Sequence, residues 1–237
     1  MKRALLITGL LMAATTAMGC TESMSSADVR THGIAATFTV EAGNADSSTV
    51  RAVLRAGGKN SNTYITLDNG DSLRVEANGQ NVPMTAYDEG HYRADIGTGA
   101  ADTEYKVIFE RGEDDDGAPN TIGTLPKPFD ITGVPDSSPS RKDADITIKW
   151  DNAGSTDSMD LEIEGDCIFK FHKSVPDTGE YIIPKGSLDS TSKKDPKTCN
   201  LTVVMKRSRA GSADSHLNED SSFVLSQRRA TKFMSAP

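Results

Sequence analysis

From Ala36 to Phe109, apolar and polar residues alternate almost without a break. Ala36, Phe38 and Val40 alternate with Thr37, Thr39 and Glu41, and Val50, Ala52 and Leu54 with Arg51 and its neighbours. Ile65 and Leu67, Leu73 and Val75, then Tyr92, Ala94 and Ile96, and finally Tyr105, Val107 and Phe109 continue the pattern. A period of two sends successive side chains to opposite faces of a strand, so each run predicts a strand with one buried face and one wet face. Gly57-Gly58, Asn69-Gly70, Asn78-Gly79 and Gly97-Thr98-Gly99 fall between the runs as turns. Roughly seven short strands at this spacing predict a sandwich or barrel.

Prolines 126, 128, 135 and 139 interrupt the pattern. Proline cannot donate to a ladder, so this stretch predicts a stiff linker or an edge strand, with a boundary near Lys127. Alternation then resumes in Ile146, Ile148 and Trp150; Met159, Leu161 and Ile163; Phe169 and Phe171; Tyr181 to Ile183; Leu201, Val203 and Met205; and Phe223 and Leu225. The expected organisation is therefore all-β, with two antiparallel β-sandwich domains at 33–127 and 128–237. Tyr105 to Arg111 (YKVIFER) and Leu201 to Arg207 (LTVVMKR) form a weak internal repeat between the halves.

The N-terminus is of another kind. Lys2 and Arg3 precede an apolar run from Ala4 to Ala17, about 14 residues and too short to span a bilayer, the pattern of a secretory signal. The closing Ala17-Met18-Gly19-Cys20 resembles the lipobox of bacterial lipoproteins, although Ala17 replaces the usual Leu. That resemblance implies a signal peptide at 1–19, lipid modification of Cys20, and a lipidated tether at 20–32 that lacks apolar periodicity. Ordinary signal cleavage suits the same bond. Three cysteines favour lipidation, because consuming Cys20 leaves an even pair. Thr21 is not the Asp that commonly retains enteric lipoproteins at the inner membrane, so an outer-membrane location follows by analogy, with the membrane as a partner through Cys20.

Charge narrows the partners. Removing 1–19 takes the formal charge from −8 to −10. Acidity of this order opposes nucleic-acid binding, which needs clustered Lys and Arg. Residues 33–128 carry net −7 and residues 129–237 net −2, a bias read as solubility at the cell surface.

Cys167 is in phase with Phe169 and Phe171, and Cys199 with Leu201 and Val203, which predicts a disulfide in one core of an exported domain. Ile146 to Trp150, an acidic-apolar strand, and Asp177-Thr178-Gly179-Glu180-Tyr181 resemble immunoglobulin-like and fibronectin type III sandwiches over about 100 residues. The D-x-G-x-Y string looks like a tyrosine corner, but Ile183 stands where an immunoglobulin domain has a cysteine.

Candidate chemistry is sparse. Gly70-Asp71-Ser72-Leu73 matches the GDSL esterase string and Asp88 with His91 forms a D-x-x-H, yet the serine runs directly into a hairpin instead of opening a helix, and a turn is the preferred reading. Asp114, Asp115 and Asp116, behind Glu113, form a possible binding loop that lacks calcium-loop spacing. Asp160, Glu162 and Glu164 make an acidic stripe, and Arg228, Arg229 and Lys232 a basic closing strand suited to blunting an edge. His32, His91, His172 and His216 are scattered, without metal-ligand spacing. Trp150 is placed in the core by its phase. The expected protein is thus a non-catalytic, lipid-anchored envelope module that binds an envelope protein or glycan, with no cofactor; a calcium-stabilised adhesin-like pair is the alternative, and an esterase the more distant one.

Overall fold

The computed structural model describes residues 22–112, 116–192 and 194–237. The first half supplies β1 (Glu22–Ser25), β2 (Ile34–Ala42), β3 (Ser48–Ala56), β4 (Thr63–Thr66), β5 (Ser72–Ala77), β6 (Gln80–Pro83), β7 (Thr85–Asp88), β8 (His91–Ile96), β9 (Glu104–Glu110) and β10 (Ala118–Thr124). The second supplies β11 (Ile131–Gly133), β12 (Ile146–Trp150), β13 (Ser158–Glu164), β14 (Phe171–Val175), β15 (Glu180–Ile183), β16 (Cys199–Ala210) and β17 (Ser222–Ser235). The only helical elements among the described residues are short 3-10 turns at Ser26–Asp28 and Thr31–Gly33.

One long sheet runs β1-β4-β3-β2-β17-β16-β13-β14, with β8 on β3 and β7 on β8. Two smaller sheets, β10-β9-β5-β6 and β11-β12-β15, cover its two halves. The fold is all-β, and each half buries an apolar core between facing sheets. Phe38, Val40, Leu54, Val75, Tyr105 and Phe109 fill the first core, and Ile148, Trp150, Leu161, Val203 and Met205 the second. Alternating inward positions on β2, β3, β5 and β8 match the sequence pattern residue by residue.

Two pairings depart from the antiparallel expectation: β1 runs parallel to β4, and β17 parallel to β2. A hairpin cannot join parallel neighbours, but β17 returns from the far end of the chain and β1 precedes the first sandwich, so neither is bound by a tight turn. The return of β17 carries Leu217, Phe223 and Leu225 into the first core, while Phe233, near its other end, lies in the second.

Where β16 and β17 pass between the cores, their inward positions change chemistry. Leu201, Val203 and Met205 give way to Arg207 and Arg209, and Phe223 and Leu225 to Gln227 and Arg229. This belt grips the proline-rich connection, whose prolines supply no N–H but whose carbonyls still need donors. Arg209 donates to the Leu125 carbonyl, Gln227 to that of Pro126, and Arg207 to those of Lys127 and Pro128. Leu125 then enters the first core and Phe129 the second. Arg209 also binds Asp157 with both arms, at 2.8 and 2.9 Å, and reaches Asp102 across the junction at 2.9 Å. Asp157 is held below the usual carboxylate range, first by these Arg209 hydrogen bonds.

The repeat strands end alike. Arg111 after β9 and Arg207 in β16 are both buried, both ion-paired to a buried aspartate (Asp71 at 3.1 Å, Asp177 at 2.8 Å), and both lie over a phenylalanine ring (Phe109, Phe129).

The segment expected to be a loose tether is docked from Glu22 onward. β1 pairs with β4, the Ser26 hydroxyl accepts from the Asp68 N–H, and Arg111 donates to the carbonyls of Ser26 and Val29. Polar and backbone contacts hold it, which is why apolar periodicity does not reveal it. Cys20 lies outside the described residues.

Cys167 and Cys199 form a disulfide, with Cα atoms 6.1 Å apart. The strand expected around Phe169 is displaced: Cys167 occupies a turn, Ile168 takes the core position, and Phe169 is 62% exposed. The turn shifts the alternation by one residue, and β14 begins only at Phe171. Trp150 is buried as expected, and Asp177 rather than Tyr181 closes the corner, accepting from Trp150 Nε1 at 2.7 Å and the Ser155 N–H at 3.0 Å.

Candidate functional site

On the long sheet, β3 turns Val50, Ala52 and Leu54 inward, which leaves Arg51, Val53 and Arg55 on the outer face. β8 likewise buries Tyr92 and Ala94 and turns His91 and Arg93 outward. The register sets Arg55 opposite Tyr64 of β4 and Val53 opposite His91. The β7–β8 turn brings Tyr87 beside them. The outcome is a strip of three aromatic rings capped by a guanidinium.

Its geometry is well defined. The Tyr64 and His91 rings lie 5.0 Å apart between centroids, and those of Tyr87 and His91 5.8 Å. The Arg55 guanidinium sits 4.9 Å above the Tyr64 ring and donates to its hydroxyl at 3.3 Å. His91 Nδ1 is 2.6 Å from the Glu89 carbonyl; a carbonyl only accepts, so Nδ1 carries a proton and Nε2 points to other partners. Tyr64 and His91 are half-buried, and Tyr87 is 56% exposed.

Gly90 makes the close approach feasible. It has φ +64°, and a Cβ there would lie 2.8 Å from Tyr64 Cβ and 2.9 Å from the Leu54 carbonyl oxygen. That carbonyl neighbour is fixed backbone, and the Gly90 carbonyl in turn accepts from the Leu54 N–H. Only glycine fits, and the turn is thereby pressed against β3 and β4.

Exposed aromatic rings offer an apolar face with a polar edge. Such a strip can stack on the C–H face of a pyranose while the tyrosine hydroxyls, His91 Nε2 and Arg55 hydrogen-bond to its hydroxyls. Sequence reading weighed His91 only within a D-x-x-H it set aside, and passed over Tyr64, Tyr87 and Arg55 as site residues. The available signal was Tyr64 and Arg55 out of phase with the inward Ile65 and Leu54.

The other candidates are dispersed. Asn69 and Gly70 adopt positive φ and form the preferred turn, and Ser72 opens β5, where its hydroxyl donates to Glu110 at 3.3 Å. His91 is on a different sheet from Ser72, it pairs with Asp88 only as a backbone neighbour in the β7–β8 ladder, and among the described residues no side-chain hydrogen bond joins it to Ser72 or Asp88. Asp114 and Asp115 lie outside the described residues, while the Asp116 carbonyl accepts from the Thr31 hydroxyl. Asp160, Glu162 and Glu164 do share an outer face, but cations share it: Lys170 meets Glu162 at 2.6 Å, and Lys206 and Arg228 are the next residues across from Asp160, while the His172 ring lies 3.7 Å from Asp160. Arg229 faces the other way and binds Asp130 at 3.0 Å. Among the described residues no group of three or more His, Cys, Asp or Glu is placed to hold a metal.

His216 is not an isolated surface residue. Its Nδ1 and backbone N–H both meet Asp214 Oδ1, at 2.7 and 2.9 Å, and the Asn120 N–H meets Oδ2 at 2.6 Å. Asp214 raises the imidazole pKa. Burial pushes the Asp214 carboxyl up, but the His216 and Asn120 hydrogen bonds outweigh it and leave the pKa lowered. A raised histidine pKa contributes stability that is fully present below its unfolded value of about 6.5 and is lost as pH rises through the folded value. A lowered carboxylate pKa contributes stability present above about 3.9 and lost on acidification. His216→Gln is therefore expected to lower the Tm at pH 5.5, with the difference shrinking by pH 9; an equal difference at both pH values would show that charge has no part in it.

No protein-family model matches the chain, and no curated protein matches it either. Solved structures that match include the FN1–FN3 domains of chicken CNTN1, at 10% identity over 84% of this chain and 66% of that one, with TM-score 0.33. The Yersinia pseudotuberculosis adhesin InvE matches at 14% identity over 86% and 59%, with TM-score 0.26. The Bacteroides ovatus protein SGBP-B, solved with a mixed-linkage heptasaccharide, matches at 12% identity over 94% and 69%, with TM-score 0.19. The chain thus spans less than two thirds of the length of the first two.

Proposed function

We propose that the protein is a lipid-anchored, non-catalytic binding module of the cell envelope, held at the outer membrane through Cys20, and that it binds an envelope glycan on the Tyr64–His91–Tyr87 strip. The strip is the observation that carries this reading. Position supports it: Ser23 of β1 pairs with Tyr64, and Ser23 is three residues from Cys20, a reach of at most about 11 Å. Neighbouring strands add only about 4.8 Å. A lipid on Cys20 would set the strip close to the membrane surface, where glycans are displayed.

An aromatic contact contributes about 0.5–1.5 kcal/mol beyond area burial, so Tyr87→Ala and Tyr64→Ala should each weaken glycan binding roughly two- to tenfold. Because Tyr87 is exposed, its replacement should leave the Tm nearly unchanged. The check is an oligosaccharide array probed with the mature chain, followed by calorimetric titration of any retained glycan. No retained glycan, or unchanged affinity in both variants, would overturn the reading. Strip-dependent binding of an unlipidated chain to bare phospholipid vesicles would replace it with direct membrane contact.

A further inference from the structure

Arg141 stands apart from the other buried arginines. Arg111 and Arg207 each face an aspartate, whereas Arg141, only 2% exposed, has no carboxylate within ion-pair distance among the described residues. Its partners are neutral. Nε donates to the Ser190 hydroxyl at 2.9 Å, Nη1 to the carbonyls of Ala236 and Ser235 at 3.0 and 3.5 Å, and Nη2 to the Lys197 carbonyl at 2.9 Å. These contacts use four of the five N–H groups of a guanidinium and leave one on Nη2. They also fix the plane of the group, since three separate segments of chain hold it. Burial lowers the Arg141 pKa, and no anion offsets that effect.

Removing a charge from water costs several kcal/mol unless an opposite charge compensates. The place for one is adjacent. Arg141 lines a cavity of about 460 Å³ together with Lys142, Leu188, Ser190, Ser192 and Pro196, within the size range of small-molecule sites. Lys142 adds a second cation, Ser190 and Ser192 add hydroxyl donors, and Leu188 and Pro196 provide apolar wall. Asp189 is the one acidic side chain of the lining, and Pro237 with its terminal carboxylate completes it, set against the two cations Arg141 and Lys142. The Cys167–Cys199 disulfide encloses the stretch of chain that carries Leu188, Ser190 and Pro196.

We infer that this cavity of the second sandwich is a binding site for a small molecule bearing a carboxylate or phosphate group, with Arg141 as the fixed cation and Lys142 and Ser192 as additional donors. The site is separate from the aromatic strip and does not depend on it. Arginine suits planar oxyanions because its donors are fixed in a fork.

The test uses the full mature chain with inorganic phosphate and with glucuronate as probes, at constant ionic strength maintained by chloride. Saturable chemical-shift changes at the Arg141, Ser190 and Ser192 amides, with a rise in Tm, are expected. Lys142→Gln combined with Ser192→Ala alters exposed side chains and gives up only the exposed contact from the Asp195 N–H to the Ser192 hydroxyl, so it should leave the ligand-free Tm nearly unchanged while weakening the responding probe at least tenfold. Arg141→Lys should abolish the response; because that change also affects packing, the first variant is the deciding one. A response from phosphate alone or glucuronate alone identifies the oxyanion. Non-saturable shifts, shifts reproduced by chloride, or equal affinity in the double variant would overturn the site.

Discussion

Asp177→Ala is expected to destabilise the protein by about 3–5 kcal/mol, the usual cost of removing one partner of a buried ion pair. Arg207 is fully buried and Asp177 has 1% side-chain exposure, so no water replaces the lost carboxylate. The substitution also strands the Trp150 indole N–H and the Ser155 amide, which both donate to it. Asp177→Asn separates the two contributions. The amide keeps one acceptor oxygen, enough for Trp150 or Ser155 but not both, and no charge for Arg207, so it should recover only a minor part of the loss. Urea unfolding followed by fluorescence of Trp150, the single tryptophan, measures both variants. A loss under 1 kcal/mol would mean that the carbonyls of Lys127, Pro128 and Asn152, with the Phe129 ring, hold Arg207 unaided.

The junction has consequences for function. Four consecutive carbonyls, 125 to 128, accept from side chains of β16 and β17. Arg209 ties Asp102 of the first half to Asp157 of the second. Such a connection transmits orientation, unlike a flexible linker. With β1 paired to β4 and β17 paired to β2, the described residues of both halves are linked by one long sheet. A lipid on Cys20 would therefore set the position of the strip and of the Arg141 cavity.

Legibility in the sequence followed the kind of force that holds each part. β2, β3, β5, β8, β9, β12, β13 and β16 were legible because they bury alternate apolar side chains. β10 was not: of Ala118 to Thr124 only Ala118 and Thr121 are buried, and threonine is not counted in an apolar pattern. β1 was missed because Ser26, Asp68 and Arg111 hold it through polar contacts. The return of β17 to the first core was hidden because Phe223 and Leu225 read the same in either sandwich, while Gln227 and Arg229, the marks of the crossing, look like surface residues. The aromatic strip escaped for a related reason. Outward positions have no periodicity of their own, and Tyr87, Tyr64 and Arg55 converge only through the β3 register and the turn at Gly90. Arg141 in turn is one basic residue beside Lys142 until the fold shows which of the two is buried.

Removing the disulfide tests how far the two cores depend on one another. Cys167 and Cys199 are 32 residues apart, and a loop of that length contributes about 3–4 kcal/mol in the chain-entropy account. Cys167→Ser with Cys199→Ser should therefore lower the unfolding midpoint substantially. The loss should not stay local. Cys199 opens β16, which pairs with β17 from Cys199 opposite Ser235 to Ala210 opposite Val224, and β17 continues that ladder into β2 through Phe223 opposite Phe38. Loosening the disulfide end loosens the strands that seal the first core. Trp150 fluorescence, which reports the second core, and amide hydrogen exchange at Phe38 and Phe223, which reports the first, should lose stability together. A second core that melts alone, with first-core protection unchanged, would show that the Arg207 to Arg229 belt isolates the sandwiches even though the same two strands run through both.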